Sequence, residues 1–207
     1  MKSAIKTIKT LNDVQLNNRE FPSLRNESTN SFDVLKKQHQ IAANEALFSL
    51  VKGETFSYVL DYLVQSGADL NAMTEDGKYP IFHLLLKNDN FHHALFEAFL
   101  YAGVNVDIKD CNGDTMLHKI VSGNYKFNFD FLPELLDFQS DVNAQNNYGE
   151  TPLHLAVKNQ CDWYIIDWLL FEGADWGIRD CSWHTPLTYA NEELKNKIIN
   201  YEYPCEE

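Results

Sequence analysis

The chain has 207 residues, 44% of them apolar, and a formal charge of −13, enough apolar side chain for a sizeable core. No run reaches the ~18 apolar residues that a membrane helix requires, the N-terminus lacks the apolar stretch of a signal peptide, and so acidic a chain repels phosphate backbones; membranes and nucleic acid are poor partners for it. Cys111, Cys161, Cys181 and Cys205 form neither a C-x-x-C pair nor a zinc-finger spacing, so they read as free thiols in a reducing, cytoplasmic setting.

Residues 1 to 30 are rich in Asn, Ser, Thr and Lys, with Ile5, Ile8 and Leu11 as one short apolar stripe. Pro22 and the polar run from Arg25 to Asn30 predict a flexible or loosely docked arm. Residues 1 to 38 hold seven basic and four acidic side chains, which leaves 10 basic and 26 acidic, a charge of −16, for residues 39 to 207. Next, Ser31 or Asp33 caps a helix carrying Val34, Leu35, Gln38, Ile41 and Ala42.

A periodic stretch follows. NEALFSLV at Glu45, GKYPIFHLL at Tyr79, GDTMLHKIV at Thr115, GETPLHLAV at Thr151 and HTPLTYA at Thr185 are spaced by 34, 36, 36 and 34 residues. A second set of marks keeps the same register: SGADLN at Gly67, AGVNVD at Gly103, QSDVNA at Gln139 and EGADWG at Gly173 lie 36, 36 and 34 residues apart. In the clearest unit Thr151 is an N-cap, Pro152 opens a helix where its missing N–H is not needed, and Gly173 ends a second helix in the left-handed conformation. Leu153, Ala156, Val157, Ile165, Ile166, Leu169 and Leu170 exceed what two short helices bury in each other, so the unit needs neighbours.

The T-P-L-H and G-A-D-V-N signatures resemble the ankyrin repeat, whose period is about 33 residues, and the resemblance covers residues 41 to 203. It implies an all-α solenoid of five helix-turn-helix repeats with hairpin fingers over Asp69 to Lys78, Asn105 to Asp114, Asp141 to Glu150 and Asp175 to His184, and atypical capping repeats at both ends. The organisation expected is an arm over 1–30; an array over 31–203, divided as 31–73, 74–109, 110–145, 146–179 and 180–203; and an acidic tail over 204–207. The first repeat has Glu45, Ala46 and Phe48 for the signature Thr, Pro and His. The second has Phe82 for the His. The third carries the aromatic insert Tyr125, Phe127, Phe129 and Phe131, expected on its outer helix. The fifth has Trp183 for the finger glycine, and a last helix, Glu192 to Asn200, turns Leu194, Ile198 and Ile199 inward.

The residues offer no candidate chemistry. His118 and His154 hold the signature position, where the family uses the ring to bond backbone of adjoining loops. His83, His92 and His93 lack the three or four converging ligands of a metal site, and Cys161 beside Asp162 lacks a histidine or glycine-rich turn to make it a nucleophile. No phosphate-binding glycine loop is present. No catalytic residue, metal or cofactor is therefore expected. By resemblance, a partner meets the finger tips and inner helices. Those positions are Met73, Glu75, Asp76 and Lys78; Lys109, Cys111, Asn112 and Asp114; Gln145, Asn147, Tyr148 and Glu150; and Arg179, Ser182, Trp183 and His184. Tyr148 and Trp183 are anchors within an acidic concave face, expected to bind a basic protein surface. The expected molecule is a monomeric, cytoplasmic interaction module. Its Asn- and Lys-rich composition is similar to ankyrin proteins that intracellular bacteria deliver into eukaryotic hosts; a eukaryotic or viral regulator, or an enzyme or substrate adaptor using the arm, is the alternative.

Overall fold

The computed structural model describes residues 29–52, 58–87, 93–122 and 132–199. The arm residues 1–28, His92, the insert at Tyr125, Phe127, Phe129 and Phe131, and the tail from residue 200 onward, with Cys205, lie outside them. The described helices are α1 (Thr29–Lys52), α2 (Tyr58–Gln65), α3 (Ile81–Leu84, followed by a 3-10 turn, Leu85–Lys87), α4 (His93–Tyr101), α5 (Met116–Ser122), α6 (Leu132–Asp137), α7 (Pro152–Lys158), α8 (Trp163–Phe171), α9 (Pro186–Tyr189) and α10 (Glu192–Ile199). Among the described residues β-pairing is limited to one isolated bridge, Met73 to Pro80. No helix there is long and apolar enough to cross a membrane.

The chain divides into two compact units, Met1–Ala72 with His92–Val104, and Met73–Phe91 with Asn105–Glu207. In the first, α1 packs on α2 through Ala43, Leu47, Leu50, Leu60 and Leu63, all buried. The helix expected from Ser31 or Asp33 begins at Thr29 and runs 24 residues without a break, so neither residue caps it. No Gly or Pro lies between Thr29 and Glu45, and nothing separates the leading helix from the first repeat. Ile41, expected on its apolar stripe, is 52% exposed.

In the second unit α3 packs on α5, α5 on α7 and α7 on α9, while α6 backs α5 and α8 backs α7. Buried apolar side chains fill each step: Ile81 and Phe82, Met116, Leu117 and Ile120, Leu153 and Ala156, then Ile165, Ile166, Leu169 and Leu170. Thr151 caps α7 as expected, with Pro152 in the first turn. Asn191 caps α10, its side-chain oxygen accepting from the Leu194 N–H at 2.8 Å. Ile198 is buried in α10, and Leu194 is half-buried.

All four register marks stand at positive φ: Gly67 at 91°, Gly103 at 84°, Gln139 at 61° and Gly173 at 87°. There the chain leaves the helix by turning its N–H groups back on the last carbonyls, as Gly173 to Leu170 at 3.0 Å and Ala174 to Leu169 at 2.9 Å show. The fingers are not strand hairpins. Three of them close through Asp110 N–H to the Asp114 carbonyl, Asn146 to Glu150 and Asp180 to His184, at 3.0, 3.0 and 2.8 Å, and the first through Thr74 N–H to the Tyr79 carbonyl at 2.8 Å. The next groups reach out to the neighbouring finger: Cys111 N–H to Lys78 carbonyl, Asn147 to Asn112 and Cys181 to Tyr148, each at 2.9 Å.

That stacking explains two finger glycines. A Cβ on Gly113 would lie 2.5 Å from the Asn147 side-chain oxygen, and one on Gly149 would lie 2.8 Å from the Cys181 nitrogen. Trp183 takes the same left-handed conformation, φ 64°, in the last finger, where a side chain has room and only the backbone strain remains. Gly113→Ala should therefore destabilise by more than the roughly 1 to 2 kcal/mol of left-handed strain, because the neighbouring finger must also shift. Trp183→Gly should stabilise by about 1 kcal/mol, the relief being offset partly by the entropy of a new glycine. Urea melts of the two variants check this; equal signs would mean that the fingers are not in register.

Candidate partner-binding surface

The surface rests on an internal frame of polar groups. His154 ties its own helix to the next finger: the Thr151 N–H and hydroxyl meet its Nδ1 at 3.1 and 2.9 Å, and its Nε2 meets the His184 carbonyl at 3.1 Å. His118 does the same between Thr115, at 3.2 and 2.8 Å, and the Glu150 carbonyl, at 2.9 Å. Since a backbone N–H donates to Nδ1 and a carbonyl accepts from Nε2, both rings are neutral with the proton on Nε2. Burial lowers both pKa values, and the carbonyls only partly oppose it. In the last repeat Thr188 replaces the histidine, accepting from the Thr185 N–H at 3.2 Å.

A second set, not singled out from the sequence, shapes the finger turns. The Asp110 Oδ1 accepts from the N–H groups of Asn112 and Asp114 at 2.8 and 3.0 Å. Asn146 repeats this with Tyr148 and Glu150 at 2.9 and 3.0 Å, and Asp180 with Ser182 and His184 at 2.8 and 2.9 Å. The signal was present: an Asp or Asn five residues before each Thr anchor. The remaining oxygens of these carboxylates are neutralised. Lys119 reaches Asp110 at 2.7 Å and Asp114 at 2.8 Å, and the Tyr189 hydroxyl donates to Asp180 at 2.6 Å. Burial alone would raise the Asp110 pKa, but Lys119 and the two N–H groups win and lower it. Tyr189 is pushed up to about 12, first by that bond to Asp180.

This frame corrects the expected acidic wall. Of the sixteen positions predicted from the sequence, Asp114 and Glu150 are buried. Asp114 is held by Lys119 and by the Asn146 amide at 2.8 Å, and Glu150 by Lys158 at 2.9 Å. They belong to the packing between repeats, because a carboxylate just before the anchor points back under its own turn. The other fourteen are exposed, but several are occupied in joining fingers. Lys109 donates to the Gln145 carbonyl at 2.8 Å, the Gln145 amide to the Arg179 carbonyl at 3.1 Å, and Asn147 to the Cys111 carbonyl at 3.0 Å, while Arg179 donates within its own finger to the Trp183 carbonyl at 2.8 Å. Asp76 is tied to Thr74 at 2.6 Å and to Lys78 at 3.2 Å. What stands out beyond the frame is aromatic: Tyr148 is 60% and Trp183 76% exposed, on adjacent fingers.

The thiols of Cys111, Cys161 and Cys181 are free. Cys161 opens onto a groove of about 370 Å³ beside Trp163, Tyr189, Leu194 and Lys197. Burial, then the nearby Asp162, raises its pKa, and its sulfur points at the Val121 carbonyl, 3.2 Å away, a setting unlike that of an activated nucleophile.

Residues 82–180 match the family model of ankyrin repeats, in three copies. Among curated proteins, the chain is similar to an ankyrin repeat protein of fowlpox virus (strain NVSL), 33% identical over 116 residues, which are 54% of this chain and 32% of that protein. It is 26% identical over 170 residues to an ankyrin repeat protein of Rickettsia bellii (strain RML369-C), 79% of this chain and 47% of that one. A palmitoyltransferase of Lachancea kluyveri is 29% identical over 154 residues, 72% of this chain and 20% of the enzyme. The chain thus spans less than half the length of each of these relatives.

His83 is the exception within the frame. It is 2% exposed, neither ring nitrogen makes a hydrogen bond of good geometry, and burial lowers its pKa from 6.5 to about 4 against the opposing pull of Asp110. The unfolded chain therefore binds the proton first: stability from this group is full above pH 6.5 and lost as pH falls through about 4, a change of about 3 kcal/mol. His118 and His154 act in the same direction. His83→Leu should keep or raise stability at neutral pH and flatten the loss between pH 6.5 and 4, measured by denaturant midpoints along a pH series; an unchanged slope would place the acid sensitivity elsewhere.

Proposed function

We propose, on the premise that residues 82–180 are ankyrin repeats, that the chain is a protein-interaction module that binds a partner with a basic contact surface and performs no chemistry of its own. The observation that carries this reading is the pair Tyr148 and Trp183, 60% and 76% exposed on neighbouring fingers whose backbones are pinned to one another. Large aromatic side chains on a rigid support lose little conformational freedom on binding, which is why they dominate interface energetics. Trp183 also holds a backbone conformation that costs stability, and strain of that kind is retained where a side chain has work to do. The surplus of 30 acidic over 17 basic residues favours a basic partner through faster encounter.

The same reading counts five repeats between residues 31 and 203, the first and last acting as caps, in a monomer working in the cytoplasm. Relatives in a poxvirus and a Rickettsia support a host-directed role, as an effector delivered into a eukaryotic cell; a eukaryotic or viral adaptor with the same binding chemistry is the alternative. The Lachancea kluyveri palmitoyltransferase shares only a fifth of its length with this chain, and the half-buried setting of Cys161, whose pKa is raised, supports binding over catalysis.

Affinity capture from a eukaryotic lysate followed by binding kinetics tests the proposal. For the captured protein, Tyr148→Ala and Trp183→Gly should each raise the dissociation rate by about tenfold or more. Raising salt to ~0.5 M should slow association in wild type. Trp183→Gly is the cleaner variant, since it should stabilise the fold. Unchanged dissociation in both would remove the fingers from the interface, and salt-independent association would remove the basic partner.

A further inference from the structure

The helix α8, Trp163–Phe171, is apolar on both faces. Ile165, Ile166, Leu169 and Leu170 are buried, whereas Tyr164 is 59% and Phe171 60% exposed, with Trp168 half-buried between them. At 100° per residue, positions 164, 168 and 171 fall within about 60° of one another, opposite the buried set, and span about 10 Å along the axis. A helix exposed on one side ordinarily turns polar residues there; one that is apolar all round is covered on both sides. The same rotation puts Asp167 on one edge of the stripe and Glu172 on the other. Asp162 and Asp175 lie just beyond the ends, and residues 159 to 175 contain no Lys or Arg. Lys197 lies 5.9 Å from the Trp163 ring at the start of this helix and is paired with Glu193.

We propose that the outer face of α8 is a second docking surface, and that its occupant is an amphipathic helical segment of a partner protein with Lys or Arg beside its apolar stripe. This rests on the reading that the chain binds a basic protein, and it adds an acidic flank to that recognition outside the fingers, where Asp110, Asp114, Glu150 and Asp180 are buried and paired. A stripe of about 10 Å accepts side chains at i, i+3 or i+4, and i+7 of a helix. The flanking carboxylates then meet cations on both sides of it. They also argue against a second copy of this chain, because a two-fold contact through α8 would set Asp162, Asp167, Glu172 and Asp175 against themselves.

The test uses the full chain and a fluorescein-labelled synthetic helix of about 14 residues, Leu on one face and Lys on the other, with the Leu/Glu peptide of the same pattern as control. By fluorescence anisotropy the Leu/Lys peptide should bind and the Leu/Glu peptide should not. Tyr164→Ser with Phe171→Ser should weaken binding at least about tenfold, with an unchanged far-ultraviolet spectrum because both side chains are exposed. Asp162→Asn with Glu172→Gln should weaken it and flatten its salt dependence, whereas Tyr148→Ala and Trp183→Gly should leave it unchanged. Binding lost only in the finger variants would overturn the α8 site and leave the basic-partner reading standing; no binding of the Leu/Lys peptide to wild type would remove both. Light scattering that shows a dimer dispersed by Tyr164→Ser and Phe171→Ser would make the stripe a self-interface and overturn the proposal.

Discussion

The fold depends on a buried, uncharged imidazole that faces two ways. His154 accepts at one nitrogen from the start of its own helix and donates at the other to the His184 carbonyl of the next finger, 30 residues on. His118 repeats the arrangement toward Glu150. A chain of short helices joined by long loops exposes many backbone groups to the interior between repeats, and each left unpaired there costs about 1 to 3 kcal/mol. The ring meets two of those needs and a threonine hydroxyl at once, but only while neutral. A neutral imidazole offers one donor and one acceptor on a rigid ring; Thr188, in its place, meets the Thr185 N–H at the start of its own one-turn helix α9.

Charge is distributed by the same logic. A formal −13 suggests an acidic face, yet four finger carboxylates fold inward: Asp110 and Asp114 under Lys119, Glu150 beside Lys158, Asp180 under Tyr189. Asp110 and Asp180 shape turns by accepting backbone N–H groups, while Asp114 holds the Asn146 amide and Glu150 the Lys158 ammonium, so each serves the fold inside rather than a partner outside. The cation or hydroxyl that covers it comes from the helix following the same finger. Net charge therefore predicts the sign of the long-range field but not which surface carries it.

Much of this was legible in the sequence, because the period fixes which residues are equivalent. The Thr anchors, the signature histidines and the left-handed marks, including Gln139 at φ 61° in place of a glycine, stand where spacing placed them. What failed to show was local. The leading helix runs unbroken through Glu45 because a cap residue such as Ser31 marks a start only if nothing upstream is helical, and Thr29 already is. Asp114 and Glu150 looked like surface carboxylates because spacing gives position along the chain, not the direction of a side chain. Lys119 and Lys158, their partners, sit at different offsets from their anchors, so no repeat comparison pairs them.

A repeat array also limits where function can be written. Gly113 and Gly149 cannot carry side chains because the next finger passes 2.5 and 2.8 Å from where a Cβ would stand, and the groups around them are bonded to that finger. Trp183 occupies the equivalent place in the last finger and is 76% exposed, so the constraint that forbids a side chain twice is absent where the aromatic appears. Tyr164 and Phe171 likewise stand on the side of α8 turned away from α7. Among the described residues the positions able to vary in chemistry are those that face no other repeat, and Trp183, Tyr164 and Phe171 fill them with large aromatic side chains. Neither placement is required by the fold, and the left-handed tryptophan works against it, which is the physical reason to look for partners there.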